Sequence, residues 1–343
     1  MGVSDRVIPA ERIPKDIPVV SRGGGGGRIR WEWGVLPRIL RAITPPPDLY
    51  HATWNHGVPR GLPFPSVLTL HDLIPWKHPE ATPWPRPAIL HQALYRRAVA
   101  SAALVAKRVI VVSETTRRDL VALIPGAADR TVVIPNTVPR WFQAAGPDRG
   151  REARERYAGG DPYWLYLGGF DPRKEIGTLL QAMARAFPGG AGAPPLVLAG
   201  SKNDVSRREE DRARALAVRA IFPGYVPDDE LPGLFAGATL FVYPSRYEGF
   251  GIPPLLALVA GVPCVVSDGG SLPEIVGETG FIVPVGNRDA LAVILRRAAE
   301  DPAAFAARGA LGPARAARFN PDEAADRTLR VYEEAARSRA GLP

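Results

Sequence analysis

Cysteine is nearly missing from this 343-residue sequence: Cys264 stands alone, so no disulfide can form within the chain. Cys264 lies in the apolar run 262–266, where a thiol reads as core packing and not as a nucleophile. A chain without disulfides fits a reducing compartment. No uninterrupted apolar stretch approaches the ~18 residues that a bilayer-crossing helix needs, so none is expected to span a membrane. The opening MGVSDRVIPAERIPKDIP has no apolar core and does not read as a signal peptide. All five histidines fall between positions 51 and 91, without the spacing of zinc ligands. Asp-x-Asp occurs nowhere, which removes one common anchor for a divalent cation. The expectation is a cytoplasmic protein with no metal and no cofactor.

What is present points to two domains. The length exceeds one average domain, and 46% hydrophobic with 23% charged residues suits a globular protein with sizeable cores. The basic excess is uneven. Residues 1–150 carry 20 Lys and Arg against 11 Asp and Glu, whereas residues 151–343 carry 23 against 24. The first part should therefore prefer an anionic partner, such as a phosphorylated substrate or an acidic membrane surface. A solvated Arg-rich surface is the plainer alternative, since only five of the 43 basic residues are lysine. Nucleic acid is not expected, because charge alone supports it and no readout motif accompanies the charge.

From about residue 49 apolar strand-like runs alternate with helical segments. Strands are predicted at 49–53, 66–70, 109–112 and 131–134, with helices at 87–106 and 114–123. A second series has strands at 163–167, 196–199, 240–243, 264–267 and 281–283, with helices at 175–187, 206–219, 230–236, 254–260 and 289–299. Such alternation implies parallel sheets covered on both faces. The fold class is therefore α/β with two Rossmann-like, doubly wound domains, and ligands at the carboxyl ends of the strands. The boundaries read as 1–147 and 148–320, with a hinge near 135–148, followed by a final helix at 321–338 that crosses back to the first domain. Residues 31–43 suggest a helix with Val35, Leu36, Ile39, Leu40 and Ile43 on one face and arginines around it. The favoured reading packs it on its own domain; the other makes it a basic, aromatic patch on a membrane surface.

Three segments carry candidate chemistry. In YEGFGIPPLLALVAGVPCVVS, a lone carboxylate, Glu248, precedes Gly249, Phe250 and Gly251 and then a nearly unbroken apolar run. Glycines let backbone approach a ligand closely, helix-start N–H groups bind oxygen-rich ligands, and a carboxylate accepts bonds from sugar hydroxyls. In YLGGFDPRKEI, a Gly-Gly turn containing Gly169 leads to Arg173 and Lys174, adjacent cations that suit a diphosphate. In LTLHDLIPW, His71 and Asp72 end an apolar strand and would reach a cleft, on opposite sides of the chain.

Together with VIVVSETTRRDL, VVIPNTV and SDGGSLPEI, these segments resemble the retaining glycosyltransferases of family 4 (group 1), mannosyltransferase-like, over roughly residues 48–337. The resemblance implies the GT-B architecture and a metal-independent transfer of a hexose, mannose before glucose. The donor would be a nucleoside-diphosphate sugar and the acceptor a glycan or a lipid-linked glycan. It also implies work at the inner membrane face, with the basic first half on an anionic surface. By position, Glu248, Gly249, Phe250 and Gly251 would hold the donor sugar. Arg173, Lys174 and Gly169 would face the diphosphate, Tyr225 and Val226 the nucleobase, and His71 and Asp72 the transferring sugar. The second glutamate of the family, which bonds the ribose, is replaced by Leu256. The family pattern also leads one to expect further βα units ahead of residue 31, about three of ~30 residues each, so the N-terminal domain reads as truncated. A non-catalytic relative that binds a sugar nucleotide or a partner protein is the alternative. A Glu248→Ala change is expected to remove transfer and leave the fold intact, because Glu248 reads as a loop residue.

Overall fold

The computed structural model describes residues 34–82 and 87–337. Their strands form two all-parallel sheets. The first holds β1 (Tyr50–Ala52), β2 (Ser66–Leu70), β3 (Arg108–Val111) and β4 (Thr131–Val133), side by side in chain order. The second holds β5 (Tyr163–Leu167), β6 (Leu196–Ala199), β7 (Ala220–Gly224), β8 (Ala238–Tyr243), β9 (Cys264–Ser267) and β10 (Phe281–Val283), in the order β10-β9-β8-β5-β6-β7. The central strands are apolar at almost every position and buried along their length, as sheets covered on both faces require.

Helices fill the connections. In the first half these are α1 (Leu36–Arg41), α2 (Ile74–Lys77), α3 (Ala88–Val105) and α4 (Glu114–Leu123). The second half has α5 (Pro147–Ala158), α6 (Ile176–Ala186), α7 (Asp204–Ala215), α8 (Leu231–Gly237), α9 (Ile252–Val259), α10 (Leu272–Val276), α11 (Arg288–Glu300), α12 (Pro302–Gly309) and α13 (Gly312–Ala316), followed by α14 (Pro321–Arg337). The large core of the second domain centres on Tyr163, Tyr166, Phe235, Phe241 and Tyr243. The first domain packs Leu68, Leu70, Val109, Val111 and Leu120 on one face of its sheet. Its other face is covered by α14, whose Val331 and Ala335 bury Val67, Ile110 and Ile134. Polar contacts fix that helix: His51 Nδ1 and Tyr332 OH lie 2.7 Å apart, and Arg108 pairs with Glu334 at 3.1 Å. The chain thus crosses between the domains twice. Residues 134–146 form the first crossing, and the return passes Phe319, whose carbonyl accepts the Val138 N–H at 3.3 Å. Arg140 and Asp322 form an ion pair beside that bond.

Several details differ from the sequence-based reading. The helix expected at 31–43 is the shorter α1; Trp31 and the glycine run before it lie outside the described residues. Pro37 and Leu40 bury against their own domain, while Arg38 and Arg41 face solvent and Ile43 is exposed. Strand β7 and helix α5 were not predicted at all. β7 contains Pro223, which an edge strand tolerates because the lost N–H faces outward. α5 has few large apolar residues and packs through Gly150, where a Cβ would come 2.7 Å from the Ala236 carbonyl oxygen. Among the described residues, no helix is long and apolar enough to cross a membrane.

Candidate active site

The order of the second sheet reverses between β5 and β8, which are neighbours although two strands separate them in sequence. Loops leaving two such strands diverge and open a crevice at the carboxyl ends. The loops are 168–175 and 244–251. In the first, the Asp171 side chain accepts the Arg173 N–H at 3.2 Å and tightens Pro172–Lys174 into a single 3₁₀ turn. In the second, Glu248 follows β8 by five residues.

The turn aims both cations at one carboxylate. Glu248 Oε1 accepts from Arg173 Nη1 at 2.6 Å, Lys174 Nζ at 2.7 Å, Ser245 Oγ at 2.6 Å and Tyr243 OH at 3.2 Å. Lys174 Nζ also donates to Tyr243 OH at 2.7 Å. Glu248 is 9% exposed and Lys174 8%, so this is an interior charge cluster and not a solvated helix start. Burial alone would push the Glu248 carboxyl up, but the Lys174 and Arg173 charges outweigh it and hold the group below its ordinary value. Burial lowers Lys174, with Glu248 opposing the shift. For Arg173, burial acts downward, but Glu248 and Asp171 overcome it and the net direction is up.

The first domain faces this cluster with the end of β2. The His71 N–H donates to Asn55 Oδ1 at 2.7 Å, and its ring Nε2 lies 3.0 Å from the Thr53 carbonyl. Asp72 Oδ1 accepts the Ile74 N–H at 2.9 Å, and burial raises the Asp72 carboxyl above its usual range. Both residues press on Gly249. A Cβ there would fall 2.1 Å from the His71 carbonyl oxygen and 2.7 Å from Asp72 Cβ. The room that sequence reasoning reserved for a ligand at Gly249 is occupied by the opposite domain. Gly251 caps α9 at φ +116°, which favours glycine. Among the described residues, the N–H groups of Gly249, Phe250 and Gly251 meet no acceptor.

The remaining candidates are more scattered. The Phe250 ring is buried edge-on to Phe319. Gly169 is exposed, and its carbonyl accepts from Tyr166 OH at 2.7 Å. After β7, Tyr225 is 66% exposed while Val226 is buried in the core, so the two side chains face different surroundings. Leu256 is buried within α9. Sequence reasoning missed Tyr243 and Ser245, although both sit in the strand and loop it had singled out. It also missed Ser113, Asp119, Tyr247 and Glu274, which join the two domains. The only signal for that group was Ser113 ahead of α4, a helix-capping pattern: its Oγ accepts the Thr116 N–H at 3.0 Å. Among the described residues, no group of three or more His, Cys, Asp or Glu side chains could hold a metal ion.

Two parallel-sheet domains that meet at the carboxyl ends of their strands, with the last helix returned to the first domain, define a GT-B glycosyltransferase. Residues 151–313 match Glycosyl transferases group 1, and residues 4–140 match Glycosyltransferase Family 4. The chain is similar to O-antigen chain mannosyltransferase B of Escherichia coli, at 31% identity over 275 residues, covering 78% of this chain and 70% of that protein. It is 29% identical over 329 residues to the lipopolysaccharide core biosynthesis mannosyltransferase LpsB of Rhizobium meliloti, covering 82% and 88%. Sucrose-phosphate synthase from Thermosynechococcus elongatus shares the fold, with a TM-score of 0.69 and 26% identity over 84% of this chain and 73% of that one. The chain belongs to the group 1, family 4 glycosyltransferases and is a transferase enzyme.

Proposed function

We propose that the protein transfers a hexose, mannose in preference to glucose, from a nucleoside-diphosphate sugar to a glycan or lipid-linked glycan, with retention of anomeric configuration and without metal or cofactor. The observation that carries this reading is the buried Arg173–Lys174–Glu248 cluster at the sheet's switch point. Both cations stand where a diphosphate leaving group would gather negative charge; Glu248 is their shared partner, and Asp171 is a second carboxylate 3.5 Å from Arg173 Nη2. Preorganised donors in a dry site stabilise such charge most strongly. Glu248, held by fixed donors, would accept bonds from sugar hydroxyls, and the unpaired N–H groups of Gly249, Phe250 and Gly251 would donate to the sugar and phosphates. The exposed Tyr225 ring would lie along the nucleobase beside the Val226 backbone. His71 and Asp72 would bound the sugar from the other domain. The mannosyltransferase names of the two relatives favour mannose.

The acceptor side is argued from charge. In the first domain Arg41, Arg60 and Arg97, with Pro37, Val58 and Leu104, line a cavity of about 570 Å³ that, among the described residues, no carboxylate lines. Such a cavity suits a phosphate-bearing acceptor or an anionic membrane surface at the cytoplasmic face. The second reading, a relative that binds a sugar nucleotide without turnover, is favoured by Leu256, an apolar residue at the position from which the family bonds the ribose.

The test is thermal unfolding with GDP-, UDP-, ADP- and dTDP-sugars and their free nucleotides, then NMR of the transfer product with and without chelator. A ligand at ~100 times its dissociation constant adds about 2.7 kcal/mol of stability. A melting shift with GDP-mannose and an α-linked product untouched by chelator is the expected result. A shift without product would favour the non-catalytic reading, and no shift with any nucleotide would overturn both.

A further inference from the structure

The residues on either side of Glu248 are held by one helix of the opposite domain. Tyr247 OH donates to Asp119 Oδ2 at 2.5 Å, and Asp119 also takes Lys77 Nζ at 2.5 Å. The Gly249 carbonyl accepts from Ser113 Oγ at 2.7 Å and Thr116 Oγ1 at 3.2 Å. Ser113, Thr116 and Asp119 recur at three-residue spacing and so share one face of α4. A third grip lies at the start of that helix. The Glu274 carboxylate, from the second domain, accepts the N–H groups of Glu114 at 2.9 Å and Thr115 at 2.7 Å, where helix-start amides have no partner within the helix. The Glu248 carbonyl itself is held within its own domain, by Ser271 at 3.1 Å.

We propose that α4 is a positioning element: it sets the Glu248 loop from both flanks only when the two domains are closed, with Glu274 latching the closed state. The inference rests on the transferase reading for its consequence and on geometry alone for the latch. Glu248 is tied within its own domain through its carboxylate and its carbonyl, so nucleotide affinity does not require closure. The Tyr247 carbonyl is likewise held at home, by Arg173 Nη1 at 2.5 Å, but the Tyr247 hydroxyl and the Gly249 carbonyl do require closure, because the groups that bond them belong to the other domain. Opening the cleft to admit donor frees the Tyr247 side chain and the Gly249 carbonyl, and closing it restores both bonds together with the contact of Gly249 on His71. Chemistry is thereby confined to the closed, water-excluding state.

The test uses the full chain with Tyr247→Phe, Glu274→Gln and both together. Each single change is expected to lower kcat for transfer by roughly tenfold or more, because small misplacement of reacting groups is costly, while donor KM and the affinity for free nucleoside diphosphate stay within about twofold. Donor hydrolysis relative to transfer should rise. Unchanged kcat, or nucleotide affinity falling in step with kcat, would overturn the proposal. Small-angle scattering of the ligand-free protein gives a readout independent of activity: the double variant should have a larger radius of gyration than wild type. An equal radius would overturn the latch even if no donor is ever turned over. A wild type without transfer, combined with an expanded double variant, would count against the transferase reading alone.

Discussion

At the scale of the residue, Glu248 does two jobs that are hard to separate by mutation. Its position in a loop suggests a residue that can be truncated without structural harm. Its surroundings say otherwise, since Oε1 is the shared counter-charge of buried Arg173 and Lys174. Removing one partner of a buried ionic group leaves the rest uncompensated and destabilises by about 3–5 kcal/mol, a large share of an ordinary domain's stability. Glu248→Ala should therefore show that loss in urea unfolding, so absence of transfer in that variant would say little about chemistry. Glu248→Gln keeps an acceptor oxygen and should lose transfer with a smaller stability loss. The pH dependence follows from sign. The Glu248 carboxyl is held below its ordinary value in the folded protein, so its stabilisation is fully present above the unfolded value of 4.5 and fades as pH falls through the folded value. The melting gap between wild type and Glu248→Gln should be constant near neutrality and narrow in acid; a gap that widens in acid would refute the assignment. The residues of this cluster were legible in the sequence as separate candidates. Their union was not, because Lys174 and Glu248 lie 74 positions apart and meet only through the pairing of β5 with β8.

At the scale of the element, most strands and helices followed from the alternation of apolar runs with amphipathic segments. The short helices α2, α10, α12 and α13 were also not predicted; two of the misses share a cause, since β7 and α5 are held by neighbours and not by their own pattern. β7 carries a proline inside a half-buried edge strand, and α5 meets α8 through Gly150, leaving no broad apolar stripe. The loop glycines were legible as glycines, but the object they make room for was not. Gly249 is the informative case. A methyl group there would strike the His71 carbonyl at 2.1 Å, a backbone atom that cannot swing aside. Gly249→Ala should hold the domains apart, lowering kcat by a larger factor than it raises donor KM. If both domains melt as in wild type and kcat is unchanged, the cleft closes by another contact.

At the scale of the whole molecule, the basic excess of the first half was plain from composition, but the cavity that gathers Arg41, Arg60 and Arg97 was not. The final helix is the clearest long-range feature. Its Val331 and Ala335 cover one face of the first sheet at Val67, Ile110 and Ile134, and its Tyr332 reaches His51 of β1 at a separation of 281 positions. Val331→Asp would place a charge against Val67 and Ile110, so β2 and β3 should lose hydrogen-exchange protection while β5, β6 and β8 keep theirs. Equal loss in both sheets would mean that the domains unfold as one unit. The returning chain also decides how the molecule can move. A single linker would act as a ball joint, leaving the lobes free to swing, roll and twist. Here two crossings run side by side, tied by the bond from Val138 to Phe319 and the Arg140–Asp322 pair. Two adjacent pivots behave like the pins of a door: they permit swinging about the line through them and resist twisting, so each opening retraces one arc and each closing brings Gly249 back onto His71.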